Sequence, residues 1–251
     1  MPNPLFTPNL TPAQNVCDAV QDQGFAIVGA AEVCRLLGVS ASALDDLTPF
    51  WSDLPPDEFL KDGGRYRKRR HGSFVVQGDA VRQVPHRAHW QPLEYNALHG
   101  GMQRWFGELD AACVASPAWH PLLRGLCQLA SSLKGEQPWF VEVHQFRIDT
   151  QGGIGRPTPE GAHRDGVDYV AVFMVARTGI KGGESRVFEA HGPKGERFTL
   201  TEPWSLLLLD DEQVIHETTP IQPADADALG WRDTLVVTLR AKGFQEDTAA
   251  V

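Results

Sequence analysis

Between residues 137 and 240 glycine and proline cut the chain into short runs of apolar or alternating residues, too short for helices and too regular for loops. Strands are predicted over 139–148, 169–177, 184–188, 197–200, 205–210, 214–219 and 233–240. Gly152-Gly153, Gly182-Gly183, His191-Gly192-Pro193 and Pro220 supply the turns between them. Helical patterns do not alternate with these runs, so a parallel nucleotide-binding sheet is not expected. Neither GxGxxG nor GxxxxGK[ST] occurs. Many short strands at this spacing predict a sandwich or barrel: a mainly β fold with flanking helices.

The helices belong to the first 135 residues. One is predicted over 12–21 with Thr11 as N-cap, and another over 30–37, closed by Gly38, with a strand at 25–28 before it. A third is read over 98–114 from the spacing of Met102, Trp105, Phe106, Leu109 and Cys113. Ser116-Pro117 then opens a fourth, whose buried stripe is Leu122, Leu126, Leu129 and Leu133. A chain of 251 residues suits one domain: a helix-rich part to 135, a β core over 136–242 and a frayed tail over 243–251.

A net charge of −9 disfavours nucleic acid as a partner, because such binders neutralise phosphates with basic surface. No apolar run approaches the ~18 residues of a membrane span, and the start MPNPLFTPNL has neither the basic region nor the apolar core of a secretory signal. Cys17, Cys34, Cys113 and Cys127 form no CxxC pair. A cytoplasmic protein with free thiols is expected. A homo-oligomer is compatible with the sequence.

Chemistry concentrates in Pro159-Glu-Gly-Ala-His163-Arg-Asp165-Gly166. In extended chain, residues i and i+2 point the same way, so His163 and Asp165 can reach one ion. His216 lies in a later strand, 214–219. Two histidines and a carboxylate on one side of an ion leave positions open for other ligands, which is the donor set of non-haem Fe(II) oxygenases. Zinc accepts the same donors. A lone His-x-Asp pair is common, so context must decide. The context is the strand 231–238, where Arg232 and Thr234 share a face. A guanidinium fork and a hydroxyl there suit a carboxylate.

The sequence at this point resembles the 2-oxoglutarate- and Fe(II)-dependent dioxygenases. His163-x-Asp165, His216 and Arg232-x-Thr234 carry the resemblance, with Gly182-Gly183-Glu184 as a mid-barrel turn. Over residues 65–240 the chain is similar to the bacterial branch that includes free amino-acid hydroxylases of the isoleucine hydroxylase type. Gly64-Arg65-Tyr66-Arg67, Glu142-x-His144-Gln145-x-Arg147 and the segment around His163 carry that narrower match. The resemblance implies a double-stranded β-helix, or jelly roll, of cupin-like form. It implies Fe(II) on the triad, 2-oxoglutarate chelating the iron with its distal carboxylate on Arg232 and Thr234, and O₂ as oxidant. Succinate and CO₂ would leave as a small molecule, foremost a free aliphatic L-amino acid, is hydroxylated.

Other residues are read with alternatives. The basic run from Arg65 to His71 serves as a solvated face or lends Arg65 and Arg67 to an anionic substrate pocket; the acidic chain disfavours a nuclear signal or nucleic-acid patch. On strand 139–148, Gln145 and Arg147 share a face and are read as pocket residues, with His144 opposite them as a packed polar group or reserve metal ligand. Glu160 pairs with a substrate ammonium or solvates a loop. Arg240 is the reserve for Arg232. The competing functions are a cupin-like isomerase or hydrolase without a keto acid, a non-enzymatic ligand-binding or signalling jelly roll, and a protein or peptide hydroxylase.

Overall fold

The computed structural model describes residues 5–96, 98, 100–226 and 228–245. Among the described residues the strands are β1 (Phe25–Val28), β2 (Arg67–Gln77), β3 (Ala80–Gln83), β4 (Gly107–Glu108), β5 (Trp139–Asp149), β6 (Tyr169–Thr178), β7 (Ile180–Gly182), β8 (Ser185–Glu189), β9 (Gly195–Phe198), β10 (Leu206–Asp210), β11 (Val214–Thr218), β12 (Ile221–Pro223) and β13 (Trp231–Arg240). The helices are α1 (Val16–Gln23), α2 (Ala30–Leu37), α3 (Ala41–Asp45), α4 (Ala111–Val114) and α5 (Trp119–Lys134). The large sheet runs β1-β10-β6-β13-β5-β2-β3, with β4 beside β2. Against it stand the small sheet β11-β8-β9 and the pair β12-β7. This is the expected jelly roll, mainly β with flanking helices. Among the described residues no helix is long and apolar enough to cross a membrane.

The two faces of the large sheet have different duties. Its outer face carries Val141, Val143, Phe173, Leu235 and Val237, buried against Leu122, Leu126 and Trp119 of α5 and the short helices. Burying each such side chain is worth about 1.5–3 kcal/mol, and this layer is the larger core. The inner face is apolar on β6, β10 and β1, where Val170, Met174, Leu207 and Leu209 pack with Val187, Phe198 and Val214. Toward β13, β5 and β2 the inner face turns polar, which opens the site.

Three expectations are corrected, and one strand was not foreseen. The basic run begins β2, an eleven-residue strand paired with β5 from Arg67↔Ile148 to Val76↔Trp139. Arg67, Arg69 and His71 are its inward positions and are buried, so the hydrophobic alternation that marks a strand is replaced by charge. The helix over 98–114 shrinks to α4, and the described residues before it form turns and β4. There Arg104 exchanges backbone hydrogen bonds with His89, and Gly107 pairs with Arg70. Cross-strand partners outcompete the local periodicity. The predicted 12–21 helix begins as a 3₁₀ turn and becomes α1 only at Val16. Thr11 does not cap it: Pro12 and Asn15 hold the N-cap positions of the 3₁₀ turn and of α1, neither with a side-chain cap, and the Thr11 amide donates to Ile27. Finally, Gln245 is not frayed: it is buried and donates to the carbonyls of Asp165 at 2.7 Å and Gly166 at 2.9 Å. Residues 246–251 lie outside the described residues.

The predicted α5 stripe is present, with Leu122, Leu126 and Leu129 buried and Leu133 half-buried. The helix starts later than Ser116-Pro117 suggested: Ala118 is its N-cap, without a side-chain cap, and Ser116 Oγ accepts from the Ala118 amide at 3.3 Å in the turn before it. Gly125 lets α5 meet α2: a Cβ there would stand 2.7 Å from Leu37 Cα and 2.9 Å from its carbonyl oxygen. Both obstacles are backbone. Gly125→Val is therefore expected to cost about 1–3 kcal/mol, measured as a lower midpoint in denaturant unfolding.

Candidate active site

The site forms where the loop after β5 meets β11. His163 and His216 exchange two backbone hydrogen bonds, N to O, each of 3.0 Å. This one-residue antiparallel bridge sets the two imidazoles side by side, ring centroids 4.6 Å apart. Asp165, two residues on, completes the group. Its Oδ1 lies 3.9 Å from His163 Nε2 and its Oδ2 lies 3.8 Å from His216 Nε2. These separations are too long for hydrogen bonds. They are shorter than twice the ~2.1 Å of a metal–nitrogen bond, so one ion can touch both members of each pair.

The surroundings fix these donors. His163 Nδ1–H donates to the Gly161 carbonyl at 3.0 Å, which leaves the Nε2 lone pair for a metal. Burial works against the protonated form of His163, but Asp165 and Glu160 outweigh it and raise the pKa. In His216, burial and then His163 lower the pKa to about 4. Gln91 Nε2 donates to Asp165 Oδ1 at 3.1 Å. Asp211 is fully buried, and its carboxylate accepts from the amides of Asp165, Gly166 and Val167 at 2.7–3.1 Å. Burial and the nearby Asp165 raise its pKa, and the three amides pull it back. Asp211 thus holds the turn that aims Asp165.

Across the cavity, β13 presents Arg232 and Thr234, both buried. Arg232 Nε has no partner among the described residues. Arg177, opposite it on β6, donates to the Gly182 carbonyl at 2.6 Å, yet its Nη1 is also unpartnered. Gly183 makes the cradle: a Cβ there would stand 2.8 Å from that Nη1 and 3.7 Å from Arg232 Cδ. Burial and then Arg177 lower the Arg232 pKa to about 10. A guanidinium stays protonated inside proteins. Two adjacent cations, Arg232 buried and Arg177 half-buried, each with a buried donor left open, fit an anion such as the carboxylate of a keto acid.

The parity of β5 corrects two pocket residues. The pairs Arg69↔Phe146↔Thr234 and His71↔His144↔Val236 place the even positions of β5 on the inner face. His144, Phe146 and Ile148 line the cavity. Gln145 is buried outward against Cys113, and Arg147 makes a bidentate pair with Asp233 at 2.8 and 2.6 Å. Arg65 is exposed, away from the cavity, whereas Arg67 and Glu160 line it. Arg240 sits at the far end of β13 and donates to Gly243. Sequence reasoning missed Arg69, His89, Gln91, Asn96, Arg104 and Arg177. Two-residue spacing from Arg67 within the basic run was a signal for Arg69; the others follow no local pattern.

His144 is no reserve ligand for the triad. It stacks on His71, centroids 4.7 Å apart, and its Nδ1 accepts from Arg69 Nη2 at 2.7 Å. His71 and His89 both donate to Glu142 Oε1, at 3.1 and 3.2 Å. The three histidines lie close enough to suit a metal, but a fixed guanidinium against one of them opposes a dication. We read them as a neutral hydrogen-bond network under the substrate cavity. Burial holds the pKa of each below the ordinary value, that of His89 at about 4.

A three-residue metal triad facing a buried cationic cradle inside a jelly roll is the site of a non-haem iron oxygenase. A family model described as 2OG-Fe dioxygenase matches residues 48–238, and the chain belongs to that family. It is a 2-oxoglutarate-dependent dioxygenase, working with Fe(II), 2-oxoglutarate and O₂. The chain is 50% identical to a bsmA homolog from Methylobium petroleophilum PM1, whose crystal structure aligns with a TM-score of 0.89 over 95% of this chain and 97% of that one. The fold is shared with IDO from Bacillus thuringiensis, at 17% identity and a TM-score of 0.73 over 92% of this chain and 99% of that one. It is shared also with the Fe(II)/α-ketoglutarate-dependent dioxygenase TqaL, at 18% identity and a TM-score of 0.70 over 91% and 86%. No match is found among the curated proteins.

Two measurements check this geometry. Gln91→Leu removes the donor that orients Asp165 and is expected to weaken Fe(II) binding about tenfold or more, read by anaerobic metal titration. Stability should also fall in mild acid. Unfolded His89 takes up its proton near pH 6.5, whereas the folded residue resists until about pH 4. Its contribution is complete above about pH 6.5 and is lost as pH falls toward 4, by up to about 1.4 kcal/mol per pH unit. Denaturant midpoints across that window test it; a flat profile would contradict the neutral network.

Proposed function

We propose that this dioxygenase hydroxylates a small molecule, foremost a free L-amino acid. His163, Asp165 and His216 hold Fe(II), and Arg232 with Thr234 holds the distal carboxylate of 2-oxoglutarate. The observation that carries this reading is one cavity with the three metal donors on one wall and the open guanidinium of Arg232 on another. The bound iron and keto acid supply a two-electron oxidation by O₂, with succinate and CO₂ as coproducts.

The chain's own residues bind, orient and exclude water. Arg232 presents a charged fork to the keto acid, Arg177 supports the same potential, and Thr234 offers a hydroxyl. Gly161 and Gln91 hold His163 and Asp165 in register. Phe146, Val172 and Val236 make the cavity floor apolar, which favours fixed dipoles over mobile water. For the substrate, the cavity carries open polar atoms of both signs: Glu160 Oε2 on one side, and guanidinium nitrogens of Arg69 and Arg104 on the other. The branch motifs around Arg67, His144 and His163 support the amino-acid reading. The four cysteines are free thiols, which fits a cytoplasmic enzyme.

The test is anaerobic loading with Fe(II) and 2-oxoglutarate, then O₂, with succinate measured across the twenty amino acids. Succinate is expected with a subset only. His163→Ala should abolish stoichiometric iron binding. Arg232→Ala should raise the KM for 2-oxoglutarate at least about tenfold, as loss of a charge-assisted hydrogen bond does; an unchanged KM would move the role to Arg177. Metal bound without succinate from any small molecule would favour a metalloprotein that uses no keto acid.

A further inference from the structure

One lobe of the cavity holds charged groups that neither the metal nor the keto acid uses. Arg69 is inward on β2, in the same cross-strand row as Phe146 and Thr234. Two strand spacings, about 10 Å, separate it from Thr234. Its guanidinium lies between the rings of Phe106 and Phe146, 3.6 and 4.3 Å from their centroids. One nitrogen donates to His144, another lies 3.7 Å from Asp57, and Nε is buried with no partner. Arg104 is 2% exposed. It donates through Nη2 to Gln91 at 2.8 Å, and its Nε too is buried and open. The third cation, Arg67, is committed to Asp57 through a 2.7 Å hydrogen bond.

The anions of this lobe are equally defined. Asp57 serves Arg67 and Arg69. Glu142 is engaged by His71 and His89. Glu160 stands at the metal side, its Oε1 3.7 Å from His163 Nδ1. Its Oε2 is buried and has no partner. Glu160 is also close enough to Arg104 to favour that residue's charged form. Three guanidiniums therefore face three carboxylates, and the histidines between them are neutral. The lobe is balanced, yet open donors remain on one side and an open acceptor on the other. A bare anion or a bare cation would upset that balance; a ligand carrying both charges would not.

We propose that Arg69 and Arg104 take the carboxylate, and Glu160 the ammonium, of an α-amino acid, so that the zwitterionic head is held in this lobe and the side chain is presented to the metal. This rests on the amino-acid reading given above and assigns its head-group subsite. Arg104 adds a link to the iron. The Gln91 side chain accepts from Arg104 and donates to Asp165, so the group that grips the substrate shares a partner with a metal ligand.

The experiment is ligand binding by calorimetry on anaerobic enzyme loaded with Fe(II) and 2-oxoglutarate, with succinate formation measured in parallel. The probes are the twenty L-amino acids and, for each binder, its carboxamide and its deaminated acid. At least one amino acid is expected to bind, with both analogues at least about tenfold weaker, as loss of one charge-assisted hydrogen bond implies. Arg104→Gln should weaken the amino acid by a similar factor and narrow its margin over the carboxamide. Glu160→Gln should narrow the margin over the deaminated acid. The analogue comparison in the unaltered enzyme needs no variant, so a fold-sensitive Arg69→Gln does not limit the test. A carboxamide that binds as well as its acid overturns the subsite. Amino acids that drive succinate formation but bind Arg104→Gln unchanged overturn it too, and leave the amino-acid reading standing. No binding by any amino acid overturns both. Discriminating binding without succinate supports the subsite and removes oxidation of those amino acids.

Discussion

A β-strand shows its side chains alternately to two faces, and β2, β5 and β13 use that alternation to separate oil from charge. Val141, Val143, Leu235 and Val237 face outward to α5 and the large core. His144, Phe146, Arg232 and Thr234, from the intervening positions, face inward to the cavity. The strands are held in register by continuous antiparallel ladders. A slip of one residue would put arginines in the core and valines at the site, so the core enforces the position of the chemistry.

Buried charge is the price of this arrangement, and the structure offsets it locally. Asp57 lies against Arg67 and Arg69, and Glu142 against His71 and His89. Burial alone would raise the Asp57 pKa, and Arg69 and Arg67 overcome it and hold the carboxylate ionised. Compensation is incomplete at Arg232, Arg69, Arg104 and Glu160, which line the cavity and each keep a buried atom without a partner. A buried unmet hydrogen-bonding group costs on the order of 1–3 kcal/mol, so a cluster of such groups in one cavity marks where binding energy is available.

The metal group depends on less. One antiparallel bridge between His163 and His216 brings the imidazoles together, and the Asp211 carboxylate ties down the turn that carries Asp165. The buried Gln245 closes over the same turn. Side chains remote in sequence thus preorganise the triad, and the preorganisation resides in backbone hydrogen bonds that substitution of the ligands themselves would leave intact.

The sequence by itself determined the β architecture, the α2 and α5 helices and the residues of the triad. Those signals are local: turn residues, short apolar runs, capping and a two-residue spacing. It also named Arg232 and Thr234, because both sit on one strand and parity relates them. It did not determine which face of β5 is inward, and the choice of Gln145 and Arg147 over His144 and Phe146 was the consequence. Parity says which residues go together, and only packing against α5 says which side is wet. Nor could it reveal β2, where charge occupies the inward positions that apolar residues normally mark. His89, Gln91 and Arg104 reach the cavity from a loop without periodicity, and Arg177 faces Arg232 only through strand pairing. Tertiary structure decided these, because burial and charge balance are properties of neighbours in space.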